Sequence, residues 1–147
     1  SDIEASVKAA DQKIVEISNE LTTQKVIQKH CDSYRLCRKV IEDCKFSKNP
    51  KAYRTKHQTE YQLHDSLKKE LQDLGVTKIP SSNKIQKRIE NLESEQDATV
   101  REKQELQKKQ KTLEIIQQNF TALLDAPEIS SDLLQAKRES VSVTRDK

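Results

Sequence analysis

The sequence predicts an all-α fold: a three-helix bundle extended by a long antiparallel two-stranded coiled coil, a helical hairpin stalk. Three observations predict it. The strong breakers of regular structure are confined to Pro50, Gly75, Pro80 and Pro127 in a chain of 147 residues. The stretches between them, roughly 3–46, 50–74 and 82–124, are rich in Lys, Glu, Gln, Leu and Ile, all good helix formers. Within those stretches apolar residues recur at alternating spacings of three and four, the mark of a helical seam.

The first helix, about 3–46, carries Ile3, Val7, Ala10, Ile14, Ile17 and Leu21 on one seam. The seam falters at Gln24 and Gln28 and resumes one step over with Ile27, Cys31, Tyr34, Cys37, Ile41 and Cys44. A phase shift of this kind marks a change of packing partner or of winding. Val26 and Val40 widen the second half, which suits contact with two neighbours. The turn from Phe46 to Pro50 ends the helix. Asn49 is placed to cap the next one, with Pro50 at its first position, where a missing N–H costs nothing.

The second helix, about 50–74, sets Tyr53, His57, Tyr61, His64, Leu67, Leu71 and Leu74 on one broad side. Gly75 supplies the left-handed residue that ends a helix. Val76 and Ile79 are placed to pack under the connection. Pro80 blocks continuation, and Ser81 or Ser82 restarts the chain as N-cap. The third helix, about 82–124, places Ile85, Leu92, Thr99, Leu106, Leu113 and Phe120 seven residues apart. The core positions between them are Ile89, Gln96, Lys103, Gln110, Gln117 and Leu124. Polar residues there weaken a coiled coil but restrict its register.

At 1.5 Å per residue the long helices span about 65 Å and the middle one about 37 Å. The middle helix then covers half of each long one. The bundle is expected from roughly 24–46, 50–74 and 82–100, and the stalk from 1–23 against 101–124, with both chain ends at its tip. Residues 1–125 form a single elongated helical domain. Residues 126–147 form a polar tail, with a short apolar patch at Ile129, Leu133 and Leu134, that reads as a loosely held helix or a frayed, disordered end.

Composition agrees with this slender architecture. Apolar residues are 33% and aromatic residues 3%, too few for a broad compact core but enough for a narrow seam. Charged residues, 35% of the chain, mix both signs, as on solvated helix faces. No apolar run approaches the ~18–20 residues that span a bilayer, so no membrane partner is expected. No signal-peptide pattern opens the chain. Ser1-Asp2 falls inside an amphipathic pattern without an initiator Met, which suggests a fragment of a longer protein. Cys31, Cys37 and Cys44 lie too far apart along one helix for internal disulfides, which points to a reducing cytoplasm.

No catalytic constellation emerges. His57, Glu60 and His64 share a face, but the two histidines are two turns apart, about 10.5 Å of rise. That is too far for both to reach one ion at zinc-ligand distances. His30 with the three cysteines fails for the same reason. Tyr34, Tyr53 and Tyr61 could each be pictured as a phosphodiester nucleophile, but no metal-binding cluster converges on them. A single glycine makes no phosphate loop. The expectation is a non-enzyme with no cofactor, no metal and no small-molecule substrate.

Charge is more informative. Between positions 35 and 56 stand Arg35, Arg38, Lys39, Lys45, Lys48, Lys51, Arg54 and Lys56, against only Glu42 and Asp43. This segment carries +6 in a chain whose total is +3. It includes the turn between the first two helices, with Phe46, Tyr34 and Tyr53 nearby. A basic end attracts phosphate backbones without reading sequence. These eight residues are the candidate nucleic-acid-binding set.

One stretch goes beyond composition: Tyr53-Arg54, His57, Glu60, Leu63-His64, Lys68, Leu71 and then Leu74-Gly75-Val76-Thr77-Lys78-Ile79-Pro80. It resembles the C-terminal helical region of relaxases, the mobilisation proteins of conjugative transposons and related integrative elements of Gram-positive bacteria. The resemblance covers about Ile27 to Leu124. Relaxases nick one strand at an origin of transfer through a tyrosine, in an N-terminal domain with a metal-binding histidine motif. That motif has no counterpart here. The resemblance therefore implies a cytoplasmic bacterial accessory domain, separate from the nuclease, which binds DNA at the origin of transfer, docks transfer-machinery proteins, or does both. The alternatives are a coiled-coil spacer or self-association module without DNA contact, and an unrelated structural hairpin.

Overall fold

The computed structural model describes residues 2–125, and the tail expected over 126–147 lies outside them. The fold is all-α. Helix α1 spans Asp2–Asp43, α2 Pro50–Lys56, α3 Gln58–Asp73 and α4 Ser82–Asp125, with a single 3-10 turn at Cys44–Phe46. Among the described residues there is no strand. None of these helices is long and apolar enough to cross a membrane.

The stop and start signals act locally. The Ser47 N–H donates to the Cys44 carbonyl at 3.1 Å, and Ser47 itself turns to extended backbone. Asn49 Oδ1 accepts from the Ala52 N–H at 3.2 Å and so caps α2, with Pro50 next in line. At the end of α3, Gly75 adopts a φ of 83°. This reversal lets Val76 N–H reach the Leu71 carbonyl at 2.8 Å and Gly75 N–H reach that of Gln72 at 2.9 Å. The paired bonds satisfy carbonyls that the helix end would otherwise strand. Ser81, rather than Ser82, caps α4: its Oγ accepts from Lys84 N–H at 3.2 Å.

The middle helix departs from the expected 50–74. It is interrupted at His57, whose φ of −106° and ψ of 25° leave helical space. No glycine or proline stands there. The flanking bonds survive: His57 N–H still reaches the Tyr53 carbonyl at 2.9 Å, and Tyr61 N–H reaches that of His57 at 3.2 Å. The side chains hold the bend. Tyr53 donates its hydroxyl to the Val40 carbonyl of α1 at 2.6 Å, and its ring lies 4.3 Å from that of His57. The hydroxyl bond ties α2 to α1.

The described residues divide into two compact units, 11–100 and the stretches 2–10 with 101–125. In the larger unit one core takes Ile17, Leu21, Ile27 and Cys31 from α1, Leu71 from α3, and Ile85, Ile89 and Leu92 from α4. Tyr34, Val76 and Ile79 pack against it. Leu71 is fully buried, worth about 1.5–3 kcal/mol in transfer from water. Thr99, 2% exposed, satisfies its hydroxyl on the Glu95 carbonyl at 2.8 Å. Helices α1 and α4 run antiparallel: Lys13 meets Glu95 at 3.7 Å and Glu20 meets Arg88 at 3.9 Å. The faltering of the α1 seam has a direct cause, since Gln28 donates across to Gln86 at 2.9 Å. Val26, expected to widen the buried stripe, is exposed.

This register differs from the expected pairing of 1–23 with 101–124, because residues 13 and 20 of α1 face 95 and 88 of α4. The larger core begins at Ile17 and so takes in α1 residues assigned to the stalk. In the smaller unit Ala10 is buried and Ile3, Val7, Lys103, Leu106 and Gln110 are half-buried. From Lys111 to Asp125 every residue of α4 is exposed.

Candidate nucleic-acid interface

The basic end is built on the capped turn between α1 and α2. Because the 3-10 turn, the extended Ser47 and the Asn49 cap fix its backbone, the side chains it carries are presented from a defined frame. Asn49 N–H also donates to Ser47 Oγ at 3.3 Å. Inside the turn Cys44 is buried, with Sγ 3.9 Å from the Pro50 carbonyl.

The eight candidate residues separate into two groups. Arg35 is committed elsewhere. Its guanidinium donates to Asp32 at 3.2 Å, to Ser82 Oγ at 3.0 Å and to the Pro80 carbonyl, tying α1 to the start of α4. Arg38 is paired along its own helix with Glu42 at 3.2 Å. Lys39, Lys45, Lys48, Lys51, Arg54 and Lys56 remain, all exposed. Lys45 Nζ sits 5.2 Å over the ring of Phe46, which is itself 78% exposed. A large aromatic ring held in water beside ammonium groups forms a flat stacking surface within a positive field. Arg54 borders a shallow depression of about 410 Å³ with Gln58, Tyr61 and Asp65.

The tyrosines near this end are bound into the structure. Burial, with the nearby Asp43, Cys44 and Glu60, pushes the Tyr53 phenol above its ordinary 10.0. The Tyr61 phenol is also raised, first by its hydrogen bond with Cys44 and then by burial, with Arg54 opposing. Both hydroxyls therefore stay protonated at neutral pH and serve as contacts. Tyr34 stacks on His64, ring centres 4.6 Å apart.

Each histidine has its own carboxylate. His30 Nε2 lies 3.2 Å from Glu70, His57 Nδ1 3.4 Å from Glu60, and His64 Nδ1 3.3 Å from Asp65. His64 is buried and its Nε2 has no hydrogen-bond partner. Among the described residues, no group of three or more His, Cys, Asp or Glu is placed to hold a metal ion. The three cysteines are buried and free. Burial raises the thiols of Cys31 and Cys37 above the ordinary 9.0.

Sequence reasoning grouped eight cations by proximity along the chain. It could not see that Arg35 is consumed by a loop some 45 residues away. It placed Phe46 near the patch, but only the geometry shows its ring standing in solvent under Lys45. Comparison with protein-family models, with curated proteins and with solved structures finds no match.

Proposed function

We propose that this chain is a non-catalytic accessory module of a conjugative relaxase in the bacterial cytoplasm, contacting nucleic-acid phosphates through the α1–α2 end. The observation that carries the reading is the set of exposed cations, Lys39, Lys45, Lys48, Lys51, Arg54 and Lys56, around a capped turn with an exposed aromatic ring. Fixed geometry lowers the ordering cost of binding, and clustered lysines release counterions from a phosphate backbone. The relaxase part of the reading rests on the sequence resemblance. The residues that carry it have structural jobs here: Tyr53 binds α2 to α1, Leu71 fills the core and Gly75 reverses the chain.

About half of the six cations can face one duplex, which gives a log–log salt slope on the order of −3 and a Kd of about 10⁻⁴–10⁻⁶ M at physiological salt. The test compares the parent with the Lys45→Glu, Lys48→Glu, Lys51→Glu triple variant, by titration of unrelated duplexes and single strands at several salt concentrations. All three positions are exposed and outside the apolar seam, so circular dichroism should be unchanged. Loss of binding with intact helicity supports the reading. Equal affinity of parent and variant refutes it. The spacer or self-association reading, which draws on the exposed face of α4, then becomes the better account.

A further inference from the structure

The second half of α4 bears an apolar face that the described residues leave in water. Leu113 is 52% exposed, Ile116 58%, Phe120 62% and Leu123 44%. Their successive intervals of three, four and three are those of a coiled-coil seam. In the same compact unit, Ile3, Gln110, Leu113, Ile116, Gln117 and Phe120 line a groove of about 510 Å³. Single exposed apolar residues are ordinary, whereas a continuous row of them beside a groove marks a docking surface.

We propose that the occupant is the same face of a second copy of this chain, laid antiparallel. Two features select it. The first is the symmetry of the spacing. The intervals three, four and three read the same in both directions, so the face superposes on itself when reversed about Gln118. Leu113 of one copy then meets Leu123 of the other, and Ile116 meets Phe120, which gives four wholly apolar layers in a self-complementary contact. Each Phe120 is delivered to the groove wall formed by Ile116 of the other copy. The second feature is charge. Exposed Lys109 and Lys111 precede the face and exposed Asp125 follows it. Reversal about Gln118 sets Lys111 of each copy level with Asp125 of the other, so opposite charges meet at both ends. A parallel pair in register sets lysine beside lysine, which opposes it. The pairing uses none of the cations at the α1–α2 end, so it stands or falls apart from nucleic-acid binding.

The test is sedimentation equilibrium of the full chain from micromolar to millimolar concentration, comparing the parent with the Ile116→Asp, Phe120→Asp variant. Both residues are exposed, so circular dichroism should be unchanged. The parent should form a dimer as concentration rises, and the variant should weaken it on the order of a hundredfold or more, because it buries four carboxylates. A short bismaleimide then reads the direction, against a low background because the native thiols are buried. Gln117→Cys should cross-link, since in the antiparallel pair its two copies lie about 3 Å apart along the axis at 1.5 Å per residue. Lys109→Cys should not, since its copies lie about 27 Å apart. A chain that stays monomeric at millimolar concentration overturns the proposal, as does a dimer that survives the double variant. Cross-linking of Lys109→Cys in place of Gln117→Cys also overturns it, and assigns the contact to a parallel pair.

Discussion

The two halves of α4 carry the same heptad pattern and meet opposite fates. From Ile85 to Thr99 the seam is buried: Ile85, Ile89, Leu92 and Thr99 all face the interior of the larger unit. From Lys111 onward the pattern continues through Leu113, Ile116 and Phe120, yet every side chain is exposed. Periodicity specifies a helix and a sticky face. The many-sided core of the larger unit has a third element, α3, which contributes Leu71 between α1 and α4 residues. A heptad is therefore evidence for a contact without evidence of which contact.

Substitutions can break or sharpen this contrast. The largest effect is expected at Leu71, fully buried where α3 meets α1 and α4. Leu71→Ala should cost about 2–5 kcal/mol in chemical denaturation, as for a large-to-small change in a packed core. Leu113→Ala, the same chemical change on the exposed half, should cost less than about 1 kcal/mol. Equal costs would mean that the second half of α4 is as firmly covered as the first.

A smaller effect is expected at Gly75. An added Cβ would meet no atom within 4 Å, so its cost is purely that of the positive φ. Gly75→Ala should lose about 1–2 kcal/mol. A loss near zero would show that the reversal after α3 tolerates another backbone path.

The smallest effect is electrostatic. Hydrogen bonding to its own backbone N–H, and then to His57, holds the Glu60 carboxyl below its ordinary 4.5, although burial opposes this. A carboxyl with a lowered folded value stabilises the fold above 4.5, and the contribution disappears as pH falls through the lowered value. Thermal midpoints of the parent and Glu60→Gln should therefore differ above pH 4.5 and converge below it. A gap that persists at low pH would assign the effect to shape rather than charge.

Much of the fold was legible because its signals are local. Asn49-Pro50, Gly75 and Ser81 each act on residues within five positions, and each does what its chemistry suggests. The interruption at His57 was not legible. It accompanies a contact of Tyr53 with Val40, 13 residues back, and no propensity encodes that distance. The register of α1 on α4 was also hidden, since both partners offer several heptads in phase. In the basic cluster, charge was readable and commitment was not: Arg35 and Lys39 look alike in sequence, but only Arg35 is locked to Pro80 and Ser82.

The Arg35 clasp also bears on the order in which the chain assembles. It joins residues 47 apart, and the Gln28–Gln86 bond joins residues 58 apart. The helices themselves need only neighbours and form early, within about a microsecond. Bringing α1 back to α4 must first overcome loop closure, which is least costly at the shortest separation, and each doubling of loop length adds only about 0.6 kcal/mol. Once Arg35 is closed on Ser82, the Gln28–Gln86 contact within the larger unit closes a shorter remaining loop. Within the larger unit, the reversal at Gly75 and the Arg35 clasp are where the cost of bringing α1 to α4 is lowest.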